Sequence, residues 1–189
     1  MLDRTLSFLL DQLNGYLGTR YESTEPHAVL SSLSNLDGTI PPGIENKVVV
    51  SLVNIEREAA AVGSGAQMRP ENGGYSRLSP PLTLNLYVLM SASFGNNYQE
   101  ALKLLSAVLG YFQGKPVFTA QNTEHPFPSG LERLTVEIVN LDMQGLNHLW
   151  GNIGGKYLPS VLYKVRMMTV QSGWIVEQVR PVTGTDSTV

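Results

Sequence analysis

Leu2, Leu6, Leu9, Leu10, Leu13 and Leu17 recur at offsets of 4, 7, 8, 11 and 15. That spacing lays one apolar stripe along an α-helix, and Gly18 is its expected stop. The next residues, Thr19 to Asn46, are rich in Ser, Pro, Gly and Asn, and their apolar positions are irregular. They predict a long connection with at most one short strand, around His27 to Leu30. Lys47 to Arg57 (KVVVSLVNIER) is dense in β-branched residues and predicts a strand. Ala59 to Arg77 is small, polar and Gly-rich, the composition of a mobile loop or an extended hairpin tip. In the next segment Leu82, Leu84, Leu86, Val88 and Met90 alternate with Thr83, Asn85 and Tyr87. A period of two predicts a strand buried on one face.

Helical spacing returns with Tyr98, Ala101, Leu102, Leu105, Val108, Leu109 and Phe112. Asn96 or Asn97 is placed to cap this helix and Gly114 to end it. Lys115 to Ala120 reads as a short extended piece. Glu124 to Gly130 holds two prolines and reads as a loop, because proline cannot donate to a central ladder. Leu134 to Leu141 is a strand, Asp142 to Ile153 a short helix capped by Asp142, and Ser160 to Ser172 the last long strand. Trp174 to Val179 offers one more. Helices do not separate every pair of strands, so a doubly wound parallel sheet is not expected. The order predicts an α+β fold, with two to three helices on one face of a mainly antiparallel or mixed sheet of about four to five strands. The expected organisation is one domain over residues 1–180 and a polar tail over 181–189.

Composition narrows the function. The 189 residues are 42% hydrophobic but only 15% charged, against a usual quarter or so. Few charges suit a surface that partners cover. The net charge is −3, and Lys164 and Arg166 form the one close basic pair on a strand, so no basic field is available for nucleic acid. With no cysteine, disulfides, thiolate metal sites and a Cys nucleophile are excluded. Asp3 and Asp11 interrupt the apolar N-terminus, which lacks the form of a signal peptide. No run approaches a membrane span. Assembly in the cytoplasm is expected.

Two features invite a chemical reading. GNIGGK, Gly151 to Lys156, is rich enough in glycine to suggest a phosphate cradle. A P-loop, however, needs GxxxxGK[ST] between a strand and the helix it opens. Here Tyr157 follows Lys156, and the glycines come after a helix and before a strand. The expected role is therefore a bend, with Pro159 at the strand entry. His27, His125 and His148 have no second ligand at helical spacing, so no metal is expected. Surface-loop and packing roles are the alternatives for them. No GxSxG elbow occurs. Glu56 and Glu58 share one strand side, which fits a solvated face equally well, and Glu132 and Glu137 show no pairing. No cofactor and no catalytic residue are assigned. Tyr163 shares a strand face with Val161 and Val165 and is expected to be buried. The interface candidates are Trp174, Lys164, Arg166, Tyr75 and Arg69.

Several segments carry a resemblance. PLTLNLYVLMSASF, NYQEALKLLSAVLGYFQGKPVF, LTVEIVNLDMQGLNHLWGNIGGKYLPSVLYKVRMM and the N-terminal MLDRTLSFLLDQLNGYL are together similar to the cap, or tube-terminator, proteins of phage-tail-like contractile injection systems. The most specific part is Leu146 to Val165, and the likeness runs from Met1 to about Arg180. It implies a non-enzymatic structural protein. It implies a homohexameric ring at the tube end distal to the baseplate, touching the inner tube and the last sheath layer. Such a ring becomes part of the particle after cytoplasmic assembly, without nucleic acid or membrane insertion. Some members carry an additional C-terminal region. A ring adaptor at the baseplate end is the alternative, and a small-ligand or nucleotide-binding enzyme using Gly151 to Lys156 a further one. A strand edge can also accept an arm from the sheath or a neighbour by β-augmentation, for which Ser160 to Ser172, the Trp174 segment and the strand from Lys47 are candidates. The Gly-rich segment Ala59 to Arg77 is expected to order on assembly.

Overall fold

The computed structural model describes the backbone of residues 1–58, 68–71, 74–78, 82–169 and 175–179, and the side chains within 1–58 and 82–169. Along the chain run α1 (Leu2–Tyr21), β1 (Ala28–Leu30), β2 (Lys47–Arg57), β3 (Met68–Glu71), β4 (Gly74–Leu78) and β5 (Thr83–Ser93). They are followed by α2 (Tyr98–Gly114), β6 (Val117–Phe118), β7 (Leu131–Val139), α3 (Met143–Ile153), β8 (Ser160–Thr169) and β9 (Ile175–Val179). A six-stranded sheet has the order β1-β2-β5-β8-β7-β6, and a smaller one the order β3-β4-β9. Only the β1–β2 pairing is parallel. The α+β class with a mixed, mainly antiparallel sheet is thus as the sequence predicts. The large sheet gains a strand over that expectation because the two-residue β6 pairs with Thr135 and Leu134 of β7.

Helix α1 buries Leu6, Leu9, Leu13 and Leu17, the predicted stripe, together with Thr5, Phe8 and Gln12. It continues one turn past Gly18 and ends where Glu22 turns left-handed, at φ 52°. Gly18 is inside the helix for a steric reason. The Ser23 amide folds back onto the Gly18 carbonyl, and a Cβ on residue 18 would stand 3.0 Å from the Ser23 oxygen. Helix α2 starts where the Asn97 side chain accepts from the Glu100 amide, as its sequence predicts. Its buried stripe is Ala101, Leu104, Leu105, Ala107, Val108 and Phe112, whereas Tyr98 and Leu102 point outward.

Helices α1 and α2 cover one face of the sheet. There Leu13, Leu17, Val108 and Phe112 meet Val48, Val50, Leu86, Val88, Met90, Leu134, Val136, Tyr163, Val165 and Met167 in one core. Phe112 contacts Phe118 and Tyr163, with ring centroids 6.4 and 5.1 Å apart. A second core lies on the opposite face, where Trp150 of α3 joins Leu33, Ile44, Val49, Leu89 and Leu162. The third helix therefore does not share the face of the other two. This second layer also explains why β5 departs from one-face burial: Val88 and Met90 feed the first core, Leu89 the second, and Ser91 is fully enclosed.

Leu13 is fully buried between α2 and the sheet, so Leu13→Ala is expected to cost about 2–5 kcal/mol of unfolding free energy in a denaturant titration. Burial pushes the phenols of Tyr163 and Tyr111 up to about 12. The folded state keeps protons that the unfolded chain releases near pH 10, so this stability is complete below pH 10 and is lost towards pH 12. Tyr163→Phe is expected to flatten that alkaline loss, read as melting temperature against pH.

Candidate interaction surface

The face that carries α3 has an apolar cover only at its Leu89–Leu162 end. Towards the Thr83 end of β5 it is polar. Asn85 stands opposite Glu56 of β2 and Arg166 of β8; Tyr87 stands opposite Asn54 and Lys164; Lys164 stands opposite Glu137 of β7. A bulge between Leu52 and Asn54 sets this alternation on β2. Hydrogen bonds link the strands. The Tyr87 hydroxyl donates to Glu56 at 2.9 Å, Asn54 Nδ2 to the other Glu56 oxygen at 3.2 Å, and Asn85 Nδ2 to Glu58 at 3.2 Å. Lys164 lies 3.4 Å from Glu137. Arg166 Nε lies 3.1 Å from Glu58 Oε2 without aligning its N–H on that oxygen, so the contact is an ion pair and not a hydrogen bond. The hydrogen bond to Glu56, and secondarily burial, holds the Tyr87 phenol above its ordinary range. These three carboxylates and two cations form a nearly neutral, cross-linked polar plate.

Two predicted interface residues, Lys164 and Arg166, are brought together on this plate. Arg69 lies on β3, opposite Ser76, and Tyr75 on β4 between Pro70 and Val179, so both belong to the smaller sheet. Trp174 lies outside the described residues, as does the segment from Ala59 to Gln67. Part of the Gly-rich stretch does form the β3–β4 hairpin.

The strand-edge candidates separate clearly. Strand β8 pairs with β5 on one side and β7 on the other, so it is interior and offers no edge. Strand β2 pairs with β1 only through Val48, Val49 and Val50, so among the described residues its outer side is open from Leu52 to Arg57. The Glu58 amide donates inward to Thr83, and by alternation Ile55 and Arg57 aim their backbone groups outward. Among the described residues strand β9 pairs with β4 alone, which makes it an edge there. The polar plate continues to the open side of β2, because Asn54 and Glu56 belong to both.

The glycine run is a bend. Gly154 is left-handed at φ 70° and its amide bonds to Trp150, closing α3. The opposite end of α3, where an anion would bind, holds the Asp142 carboxylate 2.7 Å from the Gly145 amide. The histidines are dispersed. His27 packs against Tyr21 with its Nε2 buried, His125 abuts Gly15 on α1, and His148 is exposed, leaving Tyr157 as the ring partner of Trp150. No group of His, Asp or Glu among the described residues is arranged to hold a metal ion. A cavity of about 280 Å³ lies beside α3, lined by Leu89, Val139, Leu141, Leu146, Tyr157 and Leu162. Asn140 and Ser160 add polar groups to walls that are otherwise aliphatic and aromatic, and the lining holds no acid–base pair.

Such a surface offers strand edge and polar area for docking. Residues 5–184 match the family described as the Pvc16 N-terminal domain, and the chain belongs to that family. Two solved structures share its fold. One is the sheath/tube terminator, in its extended state, of an extracellular contractile injection system called PVC. It is 17% identical, with a TM-score of 0.53 over 95% of this chain and 62% of that one. The other is the tube-terminating cap of the anti-feeding prophage, AFP, 14% identical, with a TM-score of 0.52 over 96% of this chain and 60% of that one. This chain spans about three fifths of the length of each. No curated protein matches the sequence. The family is the one the sequence resemblance implies.

A bend-forming glycine run makes a direct prediction. Saturating ATP with magnesium is expected to leave the melting temperature unchanged, in the native protein and in Lys156→Ala alike, since only a ligand that binds the native state raises it.

Proposed function

We propose that this protein terminates the inner tube of a phage-tail-like contractile injection system and contacts the last sheath layer, as a homohexameric ring. The observation that carries this reading is the family match over residues 5–184, on a fold shared with two terminators. A tube grows because each ring offers a heterologous face to the next, and such stacking does not stop by itself. A terminator needs one face that accepts the tube and another that does not repeat it. No bond has to be made or broken. Residues 1–180 act as the ring-forming unit, and residues 181–189 follow as a polar tail. The protein assembles in the cytoplasm and stays with the particle, with neither nucleic acid nor a membrane as a partner.

The open side of β2 is the sheath-facing element. A partner strand added along Leu52 to Arg57 would satisfy the outward backbone groups of Ile55 and Arg57. Lys164 and Arg166, on the plate beside this edge, set which partner charges are tolerated. Arg69, Tyr75 and Trp174 mark a second contact on the smaller sheet.

Particles made without this protein are expected to show tubes and sheaths of uncontrolled length with intact baseplates. Loss of the baseplate instead would move the protein to the other end of the tube and overturn the cap reading. Ile55→Pro removes an outward amide at an edge position where proline is tolerated, so the variant is expected to fold and to lose sheath contact.

A further inference from the structure

The ring reading leaves open which surfaces of neighbouring protomers meet. The connection after β1 contains an apolar projection. Leu36 is more exposed than in an extended peptide, at 111%, and Ile40 is 68% exposed. Isolated leucines on a surface are ordinary; this pair is held out by a closed network. Asn35 N donates to the Thr39 carbonyl at 2.9 Å, Gly38 N to the Asn35 carbonyl at 3.0 Å, and Asn35 Nδ2 to Thr39 Oγ1 at 2.9 Å. Asp37 accepts from the Thr39 amide and hydroxyl at 3.0 and 2.6 Å, which hold its carboxyl below the usual range and so charged. Leu33 and Ile44, buried in the second core, anchor both ends of the projection to the sheet.

The same face carries the matching recess. It is the cavity of about 280 Å³ between α3 and strands β5, β7 and β8, lined mainly by aliphatic and aromatic side chains, among them Leu89, Leu141, Leu146 and Tyr157, with Asn140 and Ser160 as polar members. A cavity of about 150 Å³ already accepts a benzene ring, so this one has the volume for the side chains of Leu36 and Ile40. Leu141 and Tyr157 at its rim are themselves 39% and 61% exposed. Lys156, exposed and with no ion pair among the described residues, adjoins Tyr157 as Asp37 adjoins Leu36. Projection and recess both present aliphatic side chains, and the charges beside them are opposite. Within this chain the two stay apart, with Leu36 and Ile40 standing in solvent.

We infer that the Leu36–Ile40 projection of one copy seats in the Leu141–Tyr157 recess of the next, a head-to-tail contact that closes protomers into a ring. The inference rests on the ring reading above and names its anchor. A heterologous contact of this kind generates a ring when the rotation closes. Two aliphatic side chains are the central anchor of a larger interface, with the flanking charges fixing orientation.

The chain has no cysteine, so paired cysteines report the contact without background. The full-length double variants Leu36→Cys/Leu141→Cys and Ile40→Cys/Tyr157→Cys are oxidised and separated under denaturing conditions, beside native mass spectrometry of the wild type. The expected result is a ladder of covalent trimers and larger species from each pair, while an equal mixture of the two single variants stops at dimers. A ring by mass with no ladder from either pair overturns this contact and leaves the ring reading standing. A monomer by mass with no ladder overturns both. Efficient dimers from Leu36→Cys alone would show a two-fold contact and overturn the head-to-tail arrangement.

Discussion

Everything in the large sheet depends on β5 and β8 lying side by side at its centre, paired from Thr83–Met168 to Ser91–Ser160. Central strands lose water on both faces, so each face needs a cover. The α1–α2 layer covers the centre of one face, drawing Leu86, Val88, Met90, Tyr163, Val165 and Met167 into a single core. Helix α3 and the connection through Leu33 and Ile44 form an apolar cover over the other face only at its Leu89–Leu162 end. The other end carries Asn54, Glu56, Asn85, Tyr87, Lys164 and Arg166, tied together by cross-strand hydrogen bonds and by ion pairs to Glu58 and Glu137, with Asn85 itself buried.

That half-cover separates two kinds of interaction surface. The polar plate is pre-ordered by cross-strand pairs, so a partner meeting it finds side chains already held. Such surfaces discriminate by charge and register more than they add affinity. The recess beside α3 and the projection after β1 differ in kind. They offer aliphatic area that water leaves readily. The glycines of GNIGGK connect the two regimes mechanically. Gly154 ends α3 in a left-handed turn, the chain passes Tyr157 at the recess, and Pro159 hands its carbonyl to Ala92 as β8 begins.

Much of this architecture was legible from local pattern. The leucine stripe of α1, the Asn97 and Asp142 caps, the exact span of β2 and the burial of Tyr163 follow from period, capping chemistry and strand alternation. The misplacements share one cause. Gly18 looked like a helix stop, yet it serves a close approach by Ser23 that local sequence does not display. Strand β5 looked one-sided, because alternation reports only which residues are apolar, and Leu89 is buried by a layer that arrives from elsewhere in the chain. Strand β8 was an edge candidate until its pairing on both sides was visible. Leu36 and Ile40 gave no signal beyond being apolar in a polar connection.

The amino-acid sequence by itself determined the elements, the absence of thiol chemistry, the bend-forming role of the glycine run and, through the resemblance over most of its length, the family. These are set by neighbours a few residues apart, or by residue type alone. Tertiary structure decided which strands are interior, which face α3 covers, that Lys164 and Arg166 join one plate with Glu56, Glu58 and Glu137, and that an apolar projection and an apolar recess lie on the same face. Those outcomes depend on strand order and register. Pairing of residues such as Asn85 with Arg166 is fixed by the global minimum of burial and hydrogen bonding, and no local window contains it.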